Sequence, residues 1–387
     1  MVKKISFSLI FFLSILFLKA QTYQFKVLSS ENTNIYPYIY SLHQDSLGYL
    51  WIGTGDGLFL YDGNTLSSYP LTFISGDNFI SASTLNNKGI SYLGLNNGTI
   101  AYRINQKFYL LKESLQFKST ITQLTFHNNE LLAAVQNKGI FRIVNNQVQK
   151  NPILLPNIQT YCFLIIDNQI LIGTSEGVYI YSNDQLHLLN NLPQTKIECM
   201  HLNTITGSIF IGTEDEGMVE ILLNKNKIKV LKNYSFINNV KDITNDPDGN
   251  LWIATMGEGI YFYRRNSQTN SFSQDFQFTT DNGLPNMQIR KLFFDRENNL
   301  WIGSYGSGLF QYYESAFSQL LQKINNNELS FTSLYNYNEF LLGATNDGKI
   351  YRININAPQQ YNLFEIKELQ GLKINSLFVD NNLILWM

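Results

Sequence analysis

An all-β chain of short antiparallel sheets, stacked as the blades of a propeller, is what this sequence predicts, and three observations predict it. The first is a repeated phrase. Gly48-Tyr49-Leu50-Trp51-Ile52-Gly53-Thr54-Gly55-Asp56-Gly57-Leu58-Phe59-Leu60-Tyr61-Asp62-Gly63 returns as Leu251-Trp252-Ile253-Ala254-Thr255 and as Leu300-Trp301-Ile302-Gly303-Ser304. The second is the period. Tryptophan-equivalent positions fall at 51, 92, 132, 171, 210, 252, 301, 341 and 386, a spacing of about 40 to 45 that suits four-stranded blades or paired helices. The third decides between those two: each unit is cut into short runs of Ile, Tyr, Phe and Leu broken by Gly, Asn and Asp, with no helical period.

In the first unit the pattern predicts strand A at Tyr38 to His43, strand B at Tyr49 to Thr54, strand C at Leu58 to Tyr61 and strand D at Thr65 to Tyr69. Leu50-Trp51-Ile52, Ile170-Leu171-Ile172 and Ile209-Phe210-Ile211 are apolar on both faces, so both faces must be covered. Packing each blade between two others does this, and closing the ring protects the edges. Gly57, Gly98, Gly139, Gly177, Gly217, Gly259, Gly308 and Gly348 each follow a polar turn at the end of strand B, where a hairpin calls for positive φ.

Residues 1–20 read as a secretory signal peptide: Lys3-Lys4, an apolar run from Ile5 to Leu18, and Ala20 before Gln21. The alternative is a membrane anchor, but that run is 14 residues long and a spanning helix needs about 20. Export to the periplasm is therefore expected, with no later membrane span. Of 28 basic residues, Lys3, Lys4 and Lys19 go with the leader, leaving 25 against 30 acidic and a charge of -5. No basic patch stands out, which argues against nucleic acid.

Few residues invite chemistry. His43, His127, His187 and His201 have no metal-ligand spacing, and neither a metal nor a cofactor is expected. Asp45, Asp246 and Asp295, each six residues before a tryptophan, precede turns and are expected to cap backbone N–H groups rather than act as acids. Trp51, Trp252 and Trp301 sit in apolar strands and are expected between blades rather than stacked on sugars. Cys162 and Cys199 are too few for a disulfide framework; a bond between neighbouring repeats is the alternative to two separate buried thiols, which is the preferred reading.

Ligand contacts are expected on loops, which a rigid scaffold presents. The B–C loops carry Asp56, Glu176, Glu214, Asp215, Glu216, Glu258 and Asp347, with Lys138 the main opposing charge. As a candidate ligand surface, Asp56, Glu176, Glu214, Glu216, Glu258 and Asp347 would repel polyanions and tolerate neutral sugars. The competing explanation is that turns simply favour Asp and Asn.

Asp45...Leu50-Trp51-Ile52-Gly53-Thr54...Gly57-Leu58...Tyr61-Asp62 and Asp281-Asn282-Gly283-Leu284-Pro285-Asn286...Asp295...Leu300-Trp301-Ile302-Gly303 resemble the two-component regulator propeller repeat. The resemblance covers residues 36–387. It implies the periplasmic sensor region of a hybrid histidine kinase that responds to carbohydrate, with a small-molecule or oligosaccharide ligand. Such proteins carry two seven-bladed propellers, an immunoglobulin-like domain, a transmembrane helix, a kinase and a receiver. Here Met387 falls inside the ninth repeat and no kinase motif is present, so the chain reads as the front part of a longer sensor, or the product of a broken or partial reading frame, and not itself as an enzyme.

The expected layout is a leader at 1–20, a first propeller at 21–320 and the start of a second at 321–387. Tyr23 to Leu28 would lend the outer strand that fastens the first ring; one eight-bladed ring ending near Arg352 is the rival. Homodimers would form through downstream domains. A secreted polysaccharide-active enzyme or a protein-interaction scaffold is the other functional reading. A lyase would want a tyrosine or basic general base beside a neutralising Arg, and no such cluster is visible in the sequence. The adjacent pair Arg264-Arg265 lies at the end of a strand C.

Overall fold

The computed structural model describes residues 25–28, 38–71, 78–104, 107–224 and 227–312, then 323–324, 327–328, 331–337, 340–354, 357–365, 369–379 and 385–386. The leader expected at 1–20, Gln21, Asp380 and the 320/321 boundary lie outside these residues. Two compact units separate, one spanning Gln24–Tyr313 and the other including Glu314–Met387.

Among the described residues the first unit holds seven antiparallel sheets, six of four strands and one of five. Sheet one runs Ile39–Gln44, Leu50–Thr54, Gly57–Tyr61 and Leu66–Tyr69, each bound within one residue of the expected strand. The inner strands of the seven sheets are Ile39–Gln44, Ile80–Leu85, Ile121–His127, Thr160–Ile166, Ile197–Leu202, Val240–Asn245 and Ile289–Phe294. Each lies beside the next, and the seventh lies beside the first. Phe25–Val27, from the early segment, pairs antiparallel with Leu309–Tyr312 as the outermost strand of the last sheet, and the Leu28 N–H donates to the Leu309 carbonyl at 3.0 Å. The segment that fastens the last sheet therefore comes from the start of the chain, and it covers an edge that would otherwise stay open.

Sheets pack through their second strands, which are buried along their whole length in five sheets and at all but the first residue, Glu130 or Gln169, in the other two. Trp51, Trp252 and Trp301 are 0%, 6% and 3% exposed. Trp51 meets Phe108 of the second sheet edge-on at 5.5 Å, and Trp301 meets Tyr61 of the first at 5.4 Å. They are inter-sheet core, as expected. The six-residue spacing to the preceding aspartate also has a physical reason. One oxygen of Asp45 accepts the Leu47 and Tyr49 N–H groups, and the other accepts the Trp51 indole N–H at 2.9 Å. Asp295 treats Glu297, Asn299 and Trp301 alike, with the indole at 2.7 Å, and Asp246 repeats the pattern at 3.3 Å from Trp252. Where Tyr92 replaces tryptophan, Asn86 caps the Lys88 and Ile90 amides instead.

Close approach fixes two kinds of glycine. A Cβ on Gly303 would stand 2.7 Å from Cγ2 of Ile39 in the neighbouring sheet, so the second strand must be nearly bare there. Gly217, at φ +81°, turns a hairpin where a Cβ would meet the Tyr234 carbonyl oxygen at 2.4 Å. Cys162 and Cys199 are buried and unbonded, and burial pushes both thiols above the ordinary cysteine range.

His43 is packed beside Trp51 and bonded through Nε2 to Ser91 Oγ at 3.0 Å. Burial pushes its imidazole from 6.5 down to about 4, against the pull of Asp45 and with the push of Arg103. The unfolded chain therefore takes up this proton near pH 6.5 and the folded chain only near pH 4, so stability falls as pH drops through that window. The loss is about 3 kcal/mol. His43→Gln should remove that share of the acid limb in denaturant titrations at pH 7 and pH 4; an unchanged pH slope would refute the assignment.

The second unit contains a four-stranded sheet, Phe331–Tyr337, Phe340–Thr345, Lys349–Asn354 and Ala357–Glu365, and two short hairpins. Ala344, Ile350, Ile374 and Leu377 are its buried cluster. Phe340-Leu341-Leu342 is half-buried, and Leu342 packs on that cluster.

Candidate ligand cavity

Every inner strand in the first unit breaks register at the same place. Ile39 pairs with Thr54 and Ser41 with Gly53, so Tyr40 is an extra, unpaired residue. The same bulge isolates Ser81, Thr122, Tyr161, Glu198, Lys241 and Arg290. A bulge re-aims one side chain out of the alternating pattern. All seven of these side chains line one cavity of about 640 Å³, bounded by the inner strands. The residue before each is fully buried: Ile39, Ile80, Ile121, Thr160, Ile197, Val240 and Ile289. Five of these seven, all but Thr160 and Ile289, press on a second-strand glycine: Ile39 on Gly303, Ile80 on Gly53, Ile121 on Gly94, Ile197 on Gly173 and Val240 on Gly212. The scaffold position is thus uniform, whereas the neighbour that it presents changes from sheet to sheet.

The cavity wall has two characters. Sheets one to four offer aromatic rings, hydroxyls and the amides of Asn96, Gln123 and Gln136. Tyr40 and Phe79 lie 4.3 Å apart between ring centres, and Ser83, Thr122, Gln123 and Tyr161 continue the wall. Some of these groups serve the fold. Ser81 Oγ donates to the Ile121 carbonyl and Thr122 Oγ1 to the Thr160 carbonyl, stitching neighbouring sheets, and the Gln123 amide pairs with the Phe163 backbone.

Sheets five to seven offer charge. Lys241 and Lys196 both donate to Glu198 at 2.6 Å, and Lys291 lies 3.0 Å from Asp242. Burial pushes the Glu198 carboxyl up, but the two lysines outweigh it and hold the group below the usual carboxylate range. Burial likewise raises the Tyr161 phenol, although Lys196 sits 4.9 Å from its ring centre. Arg290 stacks over Tyr40 at 4.5 Å. That places a tyrosine beside an arginine, a pairing which the sequence did not reveal.

The acidic turn residues lie elsewhere. None of the six candidates lines the cavity, although Asn96 and Gln136, from equivalent turns, do. Asp56, Glu176 and Glu216 are exposed, and each donates its amide N–H to the threonine that ends its second strand. Glu214 is exposed and pairs with Lys196 at 3.1 Å, one residue removed from the lining. Glu258 accepts from the Asn238 backbone and side chain and from the Tyr261 hydroxyl. Asp347 belongs to the other unit and pairs with Lys349 at 2.7 Å. Lys138 lies in the third sheet's turn, and Arg264 and Arg265 end a third strand, with Arg264 held by Asp275 at 2.6 Å. The signal that finds the cavity is the variable residue 10 to 12 positions before each tryptophan-equivalent, just after a β-branched one.

Comparison with known proteins agrees with this architecture. Over its length the chain superposes on the extracellular domain of the putative hybrid two component system BT3049 from B. thetaiotaomicron, with a TM-score of 0.71 and 21% identity over 94% of this chain and 52% of that one. The extracellular domain of the putative one component system BT4673 from the same organism gives 0.58 and 20%, over 95% of this chain and 51% of that one. This chain thus spans about half the length of these two domains. Virginiamycin B lyase from Staphylococcus aureus, an enzyme, gives 0.58 and 14% over 75% of this chain and 98% of that one. No curated protein matches. Residues 35–56, 235–257 and 283–306 match the family model of the two component regulator propeller, so this all-β propeller chain carries that repeat in three places.

Proposed function

We propose that this chain is an exported, periplasmic ligand-sensing propeller of a two-component signalling system, responding to carbohydrate. One observation carries the reading: a uniform scaffold in which each of seven sheets turns one bulge residue into the same cavity, with six residue types among the seven. That arrangement separates recognition from stability, as a family of sensors for different ligands requires. The repeat matches and the two-component extracellular domains of like fold support the signalling context. We read residues 21–320 as one propeller and 321–387 as the start of another, with homodimers formed through further domains.

The enzyme reading has its own observation, Tyr40 beside Arg290 in a cavity, and a lyase among the propellers of like fold. One experiment separates the two. The purified chain is mixed with neutral and acidic oligosaccharides; at least one is expected to raise its melting temperature, and all are expected to remain chemically unchanged. Binding at a hundredfold excess over Kd stabilises by about 2.7 kcal/mol, an easily measured shift. Accumulating product would establish the enzyme instead, and no shift with any saccharide would remove the sensing role.

A further inference from the structure

The charges lining the cavity do not balance. Glu198 and Asp242 face Lys241, Arg290 and Lys291, and both carboxylates are already engaged, Glu198 by two lysines and Asp242 by Lys291 and the Leu292 N–H. The excess cation is Arg290. Among the described residues its guanidinium has no carboxylate and no hydrogen-bond acceptor, only the face of Tyr40. Arg290 lines the cavity together with Tyr40 and Phe79, whose rings lie 4.3 Å apart. A half-buried arginine that lines a cavity without a carboxylate partner marks where a ligand's anionic group fits.

We propose that this cavity binds a carboxylate-bearing sugar of the uronic acid class, with the carboxylate on the Arg290 fork and a sugar face against Tyr40 and Phe79. The proposal rests on the ligand-sensing reading and names its ligand class. It also departs from the neutral sugars that the acidic turns suggested, because those turns do not line the cavity. One excess positive charge matches one carboxylate, whereas a phosphate monoester brings up to about two negative charges. Arginine's planar fork pairs with a carboxylate through two parallel N–H bonds, and its other face is free to stack on an aromatic ring, the arrangement seen with Tyr40. At about 640 Å³ the cavity falls within the range of about 300–1,000 Å³ that small-molecule sites occupy.

Calorimetric titration of the whole chain with digalacturonate, galactobiose and a sulfated galactose tests this. Digalacturonate is expected to bind at least tenfold more tightly than the other two, and added salt should weaken it. Arg290→Gln should bring digalacturonate down to the level of galactobiose, while Arg290→Lys, which keeps the charge but loses the fork, should fall between. Melting curves of both variants confirm folding, and Arg290→Lys carries the test if Arg290→Gln does not fold. Equal binding of digalacturonate and galactobiose, tighter binding of the sulfated sugar, no binding of digalacturonate, or a folded Arg290→Gln with undiminished binding would each overturn the proposal. If galactobiose alone bound and stabilised the chain, this inference would fall and the sensing reading would stand.

Discussion

Trp301→Ala is expected to destabilise the Gln24–Tyr313 unit by about 3–5 kcal/mol, the usual cost of removing a large buried aromatic. The side chain is 3% exposed and fills the seam between the last sheet and the first, against Tyr61, Leu50 and Leu309. Neighbouring sheets meet there as preformed surfaces, so the void has little freedom to collapse. A second cost is polar: the Asp295 oxygen that accepts the indole N–H keeps only the Asn299 amide. Trp301→Phe should cost less than Trp301→Ala, because it keeps one aromatic ring in the seam; of its cost, the lost N–H accounts for about 1–2 kcal/mol and the rest comes from the smaller void left by the indole's second ring. Urea denaturation measures both variants. Ligand affinity of the folded fraction should hardly change, since Trp301 does not line the cavity. Intact stability together with lost sugar binding would show instead that the tryptophan is a recognition residue.

Much of the fold could be read from the residues because each repeat satisfies the same local constraints. Leu50-Trp51-Ile52 must be covered on both faces, and the turn glycines admit hairpins that few other residues tolerate. Even the spacing from Asp45 to Trp51 was visible; what the sequence lacked was the reason, because the indole bond forms only once turn and strand have folded together. The cavity was far less legible. A bulge leaves no compositional mark: Tyr40, Ser81 and Glu198 share a position but no chemistry. The carboxylates of the B–C turns recur more conspicuously in the sequence, yet none of the six lines the cavity. Likewise, the pairing of Tyr40 with Arg290 spans 250 residues and exists only because the seventh inner strand lies beside the first.

Removing the first strand should be the most damaging truncation. A chain beginning at Ser29, compared with one beginning at Gln21, loses Phe25–Val27 from the last sheet and Leu28 from the core. Leu28 is 4% exposed, and its burial contributes about 2–3 kcal/mol. Phe25 adds edge and tilted contacts to Phe278 at 5.6 Å and Tyr312 at 5.5 Å, about 1 kcal/mol each. The ladder to Leu309–Tyr312 contributes about 1 kcal/mol per bond. Together these place the loss on the order of 5 kcal/mol, a large share of the about 5–15 kcal/mol that holds a typical domain. The truncated chain would also expose Leu309–Tyr312 as a bare strand edge and should aggregate. Limited proteolysis reads both the effect and the domain layout that we propose. The Gln21 chain is expected to yield a resistant core ending near residue 320, and the Ser29 chain none. Equal resistance of the two would show that the first strand does not hold the ring, and protection through residue 352 would show that the second unit's sheet belongs to it.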